Sequence, residues 1–389
     1  MMRILLLGTG MQGKAALYDL ARSDDVTDVV AADGDLDALR AHLSEMDYGA
    51  RVHPEALDAA DPDSLARLFA RRPDVAIDLL PVSFSDAVAQ AAVAHGVHLV
   101  NTIYTTPFMR TLAAEAQARG VTLLPEFGLD PGIDLLMLSR AAREVDSIEG
   151  VKSYGAGIPE LAAADNPIKY KITWTFHGVL TSYRREARLI RDGQLQEIDG
   201  RRIFYPEQLH DLTIEGVGLL EAYPNGDALP YVDLLGLDVA QLAHMGRYSL
   251  RYPGHSRFWR ALVDLDLLED EPVMVDGQAV DRKRFLAAAM APRLQLGPGE
   301  RDIVILRVDL WGKKDGRPAR VVTQLIDRRD LDTGFTAMNR TVGFTASIGA
   351  QLIGRGTIDK RGLLSPVTDV PCDIVVDELA KRDIHITSV

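Results

Sequence analysis

Residues 3–21 read Arg3-Ile-Leu-Leu-Leu-Gly8-Thr-Gly10-Met-Gln-Gly13-Lys-Ala-Ala-Leu-Tyr-Asp-Leu-Ala21, an apolar strand that runs into a glycine turn and then into a helix. The turn has the pattern G-x-G-x-x-G. Its first glycine permits a tight turn, the second lets a pyrophosphate approach the backbone, and the third lets helix and strand pack closely. The free N–H groups at the start of the helix then face the phosphates. The cofactor-binding residues that this loop predicts are Gly8, Gly10, Met11, Gln12 and Gly13.

A second apolar run, Val29-Val-Ala-Ala-Asp33, ends in an acid 20 residues after Gly13. This is the position from which a carboxylate binds the adenosine ribose hydroxyls of a dinucleotide. A carboxylate there also repels a 2′-phosphate, and no arginine follows before Arg40. Asp33 therefore predicts NAD rather than NADP as the cofactor.

The first 125 or so residues alternate strand and helix patterns. Alternation of this kind is typical of a parallel, doubly wound sheet, so we predict an α/β fold with a Rossmann domain. The further strands that we predict are Val75–Leu80, Val97–Val100 and Val121–Leu124, and the helices between them are Ser85–His95 and Met109–Arg119.

After Gly150 the pattern changes to strand-like pieces, two of which flank a hairpin-like turn at Gly312–Gly316. They predict an antiparallel α+β region that binds substrate and mediates dimerisation. Helical spacing returns in the tail over Thr341–Leu352 and Cys372–Lys381. We therefore predict a dinucleotide-binding domain of residues 1–126 plus 340–389, with returning C-terminal helices, and a substrate-binding and dimerisation domain of residues 127–339.

Length and composition narrow the class of protein. The 389 residues exceed the usual size of a single core, and 47% hydrophobic with 25% charged residues is typical of a globular protein. The net charge of −13 argues against nucleic acid or an anionic membrane as partner. Cys372 is the one cysteine, which excludes an intrachain disulfide, and we expect no bound metal. No leader-like segment precedes the first strand and no apolar stretch approaches ~20 residues, so we expect a cytoplasmic protein.

Ligands of open α/β sheets bind beyond the carboxyl ends of the strands. The residues that follow the predicted strands are therefore candidates for cofactor binding and catalysis. Around the last of these strands three acids alternate with glycine and proline in Glu126-Phe-Gly-Leu-Asp-Pro-Gly-Ile-Asp134. Asp134 has a competing structural role at a helix start, and Asp130 has one in the turn before Pro131. We predict cofactor contacts for Leu80, Pro81 and Asn101, and catalytic roles for Tyr104, Glu126 and Asp130.

The second region offers candidates for substrate binding. Tyr170-Lys-Ile-Thr-Trp-Thr-Phe-His177 alternates as a strand would, which predicts its aromatic residues on one face and Lys171 and His177 on the other. Arg247-Tyr-Ser-Leu-Arg-Tyr-Pro-Gly-His255 offers arginines, which bind carboxylates in a bidentate manner. Structural roles for these residues stay open. We predict substrate contacts for Tyr170, Lys171, Trp174, Arg247 and His255, and a catalytic role for His177.

These segments resemble the saccharopine dehydrogenase family, which includes the L-lysine 6-dehydrogenases. Leu79–Pro81, Thr102–Met109 and Gly128–Asp134 resemble the glutamate-forming saccharopine dehydrogenases. Five segments look more like the lysine 6-dehydrogenases; they are Tyr170–Trp174, Ala187–Gly193, Leu250–His255, Gly343–Ala346 and Gly356–Gly362. Asp130 belongs to the saccharopine-type motif, whereas the compact length of the chain suits the lysine enzymes.

The resemblance implies an oxidoreductase acting on CH–NH or CH–NH2 groups, and Asp33 suits NAD as its cofactor. Hydride leaves the ε carbon of L-lysine, and the imine is hydrolysed to the 6-semialdehyde. Saccharopine dehydrogenase (L-glutamate-forming) and a carboxyspermidine-type reductase are alternatives. A 2-hydroxy-acid or sugar oxidoreductase is disfavoured by the Asp-Pro-Gly and Arg-Tyr-Pro-Gly-His segments. A noncatalytic NAD-binding regulator is the alternative outside enzymes. As partners we expect a small amino-acid substrate and a second copy of the chain, in a homodimer or higher homo-oligomer.

Overall fold

Strands and helices alternate through the N-terminal part of the computed structural model, which describes residues 2–46 and 48–389. The elements of this part are β1 (Met2–Leu7), α1 (Met11–Arg22), β2 (Val26–Asp33), α2 (Leu36–Glu45), β3 (Val52–Ala56), α3 (Pro62–Phe69), β4 (Val75–Asp78), α4 (Ser85–His95), β5 (His98–Asn101), α5 (Pro107–Ala118), β6 (Thr122–Leu124) and α6 (Ile133–Ala142). The alternation confirms the α/β pattern that the sequence predicts.

Longer strands follow, with a few short helices between them. They are β7 (Ser147–Pro159), α7 (Phe176–Ser182), β8 (Ala187–Arg191), β9 (Gln194–Ile198), β10 (His210–Ile214), β11 (Gly218–Pro224), α8 (Leu229–Leu234), β12 (His244–Arg251), α9 (His255–Asp264), β13 (Val273–Val275), β14 (Gln278–Val280), α10 (Arg282–Met290), β15 (Asp302–Lys314) and β16 (Arg317–Arg328). The chain ends with α11 (Ala337–Gly354), β17 (Gly362–Leu363), α12 (Cys372–Ala380) and β18 (Ile386–Ser388).

These elements form two compact units. The first unit comprises Met1–Ser139 and Asn339–His385, and the second comprises Arg140–Met338 and Ile386–Val389. No helix in the described part of the chain combines the length and the apolar character that a membrane crossing requires.

The first unit is built on a seven-stranded sheet with the order β17-β6-β5-β4-β1-β2-β3, in which all the strand pairs are parallel. The strands are apolar on both faces because helices cover both sides; Leu5 and Leu7 of β1, for example, are buried. The order reverses between β1 and β4, and ligands of open sheets bind beyond the carboxyl ends of the strands at such a point. The Rossmann prediction is confirmed.

The C-terminal helices belong to the same unit and contact α1. The Ser347 hydroxyl of α11 donates a hydrogen bond of 2.6 Å to Asp19 Oδ2. Arg382 donates two hydrogen bonds to the Asp19 carboxylate, at 2.6 Å and 3.0 Å. A Cβ atom at Gly343 would lie only 2.5 Å from the Gln12 carbonyl oxygen, so glycine is what lets α11 lie so close to α1.

The second unit contains a nine-stranded sheet whose main path is β10-β11-β12-β7-β15-β16-β18, with β8 on β12 and β9 on β8. The sequence predicts an antiparallel region, but β12 pairs with β7 in parallel, so the sheet is mixed. This part of the prediction is wrong because strand direction depends on a pairing between segments far apart in the sequence, which no local pattern reports. The long hairpin β15–β16 turns at Asp315 and Gly316, at positive φ.

The segment Tyr170–Phe176 is not the strand that its alternation predicts. The chain is irregular up to Thr175, and α7 begins at Phe176. Both Tyr170 and its sequence neighbour Lys171 are buried, whereas a strand with one solvated face would expose one of them. The alternation fails because side chains from distant parts of the unit, rather than a neighbouring strand, surround these residues.

Candidate functional site

The glycine loop between β1 and α1 has the geometry of a dinucleotide cradle. A Cβ atom at Gly8 would lie 2.8 Å from the Leu79 carbonyl oxygen, and one at Gly13 would lie 2.0 Å from the Gly8 carbonyl oxygen. Only glycine fits at these two positions. A Cβ at Gly10, the N-cap of α1, would meet nothing within 4 Å, and the first turn of α1 contains no acid and no side-chain cap. The space and the open N–H groups of α1 fit a pyrophosphate.

Asp33 at the end of β2 joins the glycine loop to the next turn. Its Oδ2 accepts hydrogen bonds from the Thr9 backbone N–H at 2.6 Å and from the Thr9 hydroxyl at 2.8 Å, and its Oδ1 accepts one from the Asp35 N–H at 3.0 Å. Burial tends to raise the pKa of Asp33, but these hydrogen bonds outweigh burial and lower it. Asp33 is therefore an ionised carboxylate fixed beside the cradle.

Asp78, at the end of β4, is not among the residues that the sequence predicts for the site. Its Oδ1 accepts a hydrogen bond of 3.0 Å from the Leu80 N–H, whereas Oδ2 has no partner among the described residues. Burial raises the pKa of Asp78 to about 6. Leu79, the next residue, carries the carbonyl that lies close to Gly8, so Asp78 shapes the turn beside the cradle. Its only signal in the sequence is an acid at the end of an apolar strand.

We expect Asp78→Asn to stabilise the protein in a pH-dependent way. A raised pKa means that the folded state binds more protons than the unfolded state between about pH 4 and pH 6, so stability falls as the pH rises through that window. The asparagine avoids the buried charge, so we expect the free energy of unfolding to rise by on the order of 2 kcal/mol above about pH 6. Thermal unfolding at about pH 8 and about pH 4 measures this. A gain of equal size at both pH values, or one matched by the exposed control Asp37→Asn, contradicts the explanation.

Three further residues predicted to contact the cofactor follow β4 and β5. Leu80 is half-buried, and Pro81 is exposed. Asn101 is 1% exposed, and its side chain serves the turn after β5, because Oδ1 accepts the Ile103 N–H at 3.3 Å and Nδ2 donates to Met109 Sδ at 3.8 Å. The cofactor contact of Asn101 therefore has no support in its surroundings.

The structure brings together the three catalytic candidates of the first unit. The Tyr104 hydroxyl donates a hydrogen bond of 3.2 Å to Asp130 Oδ1. Glu126 Oε1 accepts the Thr105 N–H at 3.0 Å, and the Glu126 N–H donates to the Ile103 carbonyl oxygen at 2.9 Å. Glu126 thus fixes the loop that carries Tyr104, which makes it a positioning residue. Tyr104 and Asp130 form the pair that can handle a proton.

A glycine-dependent turn fixes Asp130. A Cβ at Gly132, where φ is +149°, would lie 2.1 Å from the Gly128 carbonyl oxygen, and one at Gly128 would lie 2.9 Å from Thr102 Cβ. Asp134 is 3% exposed, and its Oδ1 accepts the Gly132 N–H at 2.7 Å. This hydrogen bond gives Asp134 the structural role at a helix start that its sequence position suggests.

Two aromatic residues of the second unit that are predicted to contact the substrate, Tyr170 and Trp174, lie in packed surroundings. Tyr170 is fully buried, stacks on Phe176 with ring centroids 6.2 Å apart, and has the Arg251 guanidinium 5.6 Å from its ring centre. Burial raises the pKa of Tyr170 to about 12. Trp174 is half-buried, and its ring lies so close to Gly178 that a Cβ there would be 2.7 Å from Cζ3. Tyr170 is thus a core residue of this unit.

Lys171 and His177, the other candidates in the segment Tyr170–His177, differ in their surroundings. Lys171 is buried and forms ion pairs with Asp165 at 3.0 Å and Glu300 at 3.2 Å, so its charge is already balanced within the protein. Burial tends to lower the pKa of Lys171, but these two acids outweigh it and raise the pKa. His177 lies exposed in the first turn of α7. Neither geometry gives independent support for a role in substrate binding or catalysis.

Arg247 and His255, which are also predicted to contact the substrate, differ in their burial partners. Arg247 is 5% exposed, and its guanidinium lies 5.1 Å from the centre of the Tyr231 ring. His255 is buried, with Nε2 2.8 Å from the Tyr183 hydroxyl and Nδ1 3.3 Å from the Ile168 carbonyl oxygen. Burial, and next the Arg251 charge, lower the pKa of His255 well below its usual value, so it is neutral. Both of its ring nitrogens are used inside the unit, which indicates a structural role for His255.

Comparisons with known proteins agree with both units. A family model described as "Saccharopine dehydrogenase NADP binding domain" matches residues 4–124, and one described as "Saccharopine dehydrogenase C-terminal domain" matches residues 128–384. Within the described residues, no group of His, Cys, Asp and Glu side chains is arranged to hold a metal ion.

Curated relatives and a solved structure extend the similarity over the whole chain. The saccharopine dehydrogenase [NADP(+), L-glutamate-forming] of Saccharomyces cerevisiae is 27% identical, over 97% of this chain and 97% of that protein. The mitochondrial alpha-aminoadipic semialdehyde synthase of Bos taurus is 26% identical, over 94% of this chain and 45% of the synthase. The solved apo saccharopine dehydrogenase (L-Glu forming) of Saccharomyces cerevisiae superposes with a TM-score of 0.86 at 25% identity, and each chain is covered completely.

Proposed function

The chain belongs to the saccharopine dehydrogenase family and is an oxidoreductase that acts on CH–NH groups, and from this premise we propose that it oxidises saccharopine. In saccharopine the ε nitrogen of lysine is bonded to the α carbon of a glutamate skeleton. Hydride leaves the lysine ε carbon for the nicotinamide, and the nitrogen loses a proton. Water then adds to the resulting carbon–nitrogen double bond. Cleavage of the bond between the ε carbon and the nitrogen releases L-glutamate and the 6-semialdehyde.

The observation that carries this proposal is the similarity to L-glutamate-forming relatives over 97% of both chains, which leaves no large segment of this chain outside the shared architecture. It supports saccharopine above free L-lysine, which the sequence alone places first. Lysine 6-dehydrogenase activity is the second candidate because the segments Leu250–His255 and Gly356–Gly362 resemble that group. A carboxyspermidine-type reductase and an NAD-binding regulator are further outcomes that the experiment below distinguishes.

The first unit binds a pyridine nucleotide in this proposal. The loop of Gly8, Gly10 and Gly13 with the N-terminus of α1 holds the pyrophosphate, and Asp33 binds the adenosine ribose. The bound nicotinamide supplies the hydride acceptor. The chain's own residues hold and orient the cofactor.

Asp130 is the general base in this proposal, and Tyr104 is its hydrogen-bond partner. Hydride loss requires a neutral amine, and hydrolysis of the imine requires an activated water. A half-buried carboxylate that accepts the Tyr104 hydroxyl can take a proton from the amine. After releasing that proton to solvent it can take one from the attacking water, and it can return this second proton to the leaving nitrogen. Glu126 contributes indirectly because it fixes the loop that carries Tyr104.

A substrate panel tests the proposal. Saccharopine, L-lysine and carboxyspermidine are each offered to the full-length protein with NAD and with NADP, and the reduced nucleotide is followed by absorbance. We expect the largest kcat/KM with saccharopine. A larger value with L-lysine supports the second candidate, one with carboxyspermidine supports the reductase, and nucleotide binding without turnover of any amine supports the regulator.

We expect a larger kcat/KM with NAD than with NADP, because the ionised Asp33 binds the 2′-hydroxyl and repels a 2′-phosphate. We expect Asp33→Ala to reduce this difference. The matched control is Asp37→Ala, whose carboxylate is 97% exposed in the next helix. The measurement is kcat/KM with each cofactor. Equal values for NAD and NADP in the unmodified protein, or equal effects of the two variants, contradict the assignment. The predicted homo-oligomer is tested separately by the molar mass in solution.

A further inference from the structure

The hairpin β13–β14 is a separate two-stranded sheet in the second unit. Among the described residues its strands pair only with each other, Val273 with Val280, Met274 with Ala279 and Val275 with Gln278. The two loop residues, Asp276 and Gly277, both have positive φ, as in the type I′ turn of a tight hairpin. Two strands by themselves are only marginally stable in water, so we looked for a surface that could stabilise them further.

Apolar side chains of β13 are exposed on both faces of the hairpin. Successive side chains of a strand point to opposite faces, so Val273 and Val275 lie on one face and Met274 lies on the other. Their exposed fractions are 39%, 50% and 63%. No lysine or proline lies within β13, although such residues commonly protect an edge strand from pairing with another chain. Neither face of β13 is therefore closed by the described part of the chain.

The outer edge of β13 presents backbone groups at Met274. In a hairpin with a two-residue loop, the residues that flank the loop, Val275 and Gln278, form a hydrogen-bonded pair, and the next pair, Met274 and Ala279, does not. The Met274 N–H and C=O groups therefore point away from β14. No further strand of the described chain pairs along this edge, so these two groups can bind a strand from another molecule.

The charges around the hairpin complement those of a second copy. Asp276 at the tip is exposed, and Arg282 and Arg284 lie in the first turn of α10, at the base of the hairpin; none of the three forms an ion pair with another described residue. The base also carries two acids, Glu271 and Asp281, but Asp281 caps α10 by accepting the Arg284 N–H at 2.8 Å. If β13 pairs with itself in antiparallel orientation, the acidic tip of each copy lies at the end of the other copy that carries the two arginines.

We propose that β13 pairs with β13 of a second copy of the chain, antiparallel about a two-fold axis at Met274, so that the two hairpins form one four-stranded sheet. Val273-Met274-Val275 is the same in both directions, so each valine meets a valine of the other copy on one face, and the two methionines meet on the other. A two-fold contact requires such self-complementarity. We expect the exposed Phe285 of α10 to contribute, because a standard interface buries ~800 Å² per partner, more than three strand residues supply. This inference is independent of which amine the protein oxidises.

The molar mass of the full chain in solution, measured by light scattering at micromolar concentration, tests the interface. We expect a dimer for the unmodified protein. Met274→Glu places two carboxylates together at the axis, and we expect it to raise the dimer dissociation constant about a hundredfold or more. The matched control is Leu195→Glu, which changes an exposed apolar residue on another edge strand, β9, of the same unit and should leave the dimer intact.

Cysteine crosslinking tests the pairing itself. Cys372 is the one native cysteine and is buried, so an introduced cysteine is the one exposed thiol. Cα atoms of a hydrogen-bonded antiparallel pair are ~5.5 Å apart, a distance that a disulfide spans, so Met274→Cys should form a disulfide-linked dimer on mild oxidation. Ala279→Cys, exposed on the same face but in β14, is the control, because two strands separate it from its counterpart in the other copy.

Three results would overturn the pairing. They are a monomeric unmodified protein, a dimer that Leu195→Glu dissociates and Met274→Glu does not, and crosslinking of Ala279→Cys as fast as that of Met274→Cys. If Met274→Glu does not fold, the comparison of the two cysteine variants decides. Saccharopine oxidation is measured separately, so failure of the proposed function leaves this test unaffected.

Discussion

Asp130→Asn is expected to lower kcat/KM for the amine substrate by at least about tenfold, the lower end of the usual effect of a general base, and to leave the NAD dissociation constant nearly unchanged. Asn keeps the shape of the side chain and can still accept the hydrogen bond from the Tyr104 hydroxyl, which is 3.2 Å from Asp130 Oδ1. It cannot take a proton. The loss should therefore appear in turnover of the amine substrate.

The matched control for this variant is Asp134→Asn. Asp134 lies in the same turn, but it is 3% exposed and accepts the Gly132 N–H at 2.7 Å, so its role is structural. We expect Asp134→Asn to lower Tm more than turnover, because it removes the negative charge from the first turn of α6. We expect Asp130→Asn to do the reverse. Near-normal turnover in Asp130→Asn would remove Asp130 from the catalytic machinery.

Arg382→Ala is expected to produce the largest loss of stability, about 3 kcal/mol, or a Tm lower by about 5–10 °C. Arg382 and Asp19 are 14% and 11% exposed and are joined by two hydrogen bonds, and Arg382 also donates to Glu378 at 2.8 Å. Removing the arginine leaves the Asp19 carboxylate without its cationic partner between α1 and the C-terminal helices. Thermal unfolding of the full chain measures the effect.

The control for the ion pair is the neighbouring Lys381→Ala. Lys381 also pairs with Glu378, at 2.9 Å, but its side chain is 67% exposed, so we expect a change below about 1 kcal/mol. Adding Asp19→Asn to Arg382→Ala should recover part of the loss, because the unpaired charge is then gone. A Tm for Arg382→Ala equal to that of Lys381→Ala would show that the pair does not hold the tail on α1.

The features that the sequence predicts well are those whose cause is local. Gly13 is required by the nearby Gly8 carbonyl oxygen of the same turn, and the glycine pattern therefore identifies the cradle. The parallel strands of the first unit follow from the regular alternation of apolar runs and helices. Asp130 stands out because three acids and several turn-forming residues share one short segment.

The features that the sequence does not predict depend on distant partners. Lys171 is a plausible solvated residue in an alternating strand, but Asp165 and Glu300 pair with it in the interior. His255 lies in a segment that resembles a site, yet Tyr183 and the Ile168 carbonyl group occupy both of its ring nitrogens. Local spacing carries no information about such partners.

The same reason explains why Asp78 does not stand out in the sequence. An acid at the end of an apolar strand usually points to solvent, whereas Asp78 is 2% exposed. Asp78 becomes informative only when the fold shows what surrounds it.

The stoichiometry of saccharopine oxidation tests the central claim most directly. The full-length protein is incubated with saccharopine and NAD, and L-glutamate and reduced nucleotide are quantified over time, with L-lysine in a parallel reaction. The account predicts that glutamate and reduced nucleotide form in equal amounts and that no ammonia is released. Intact saccharopine together with ammonia and reduced nucleotide from L-lysine, or no reduced nucleotide from either amine, would contradict it.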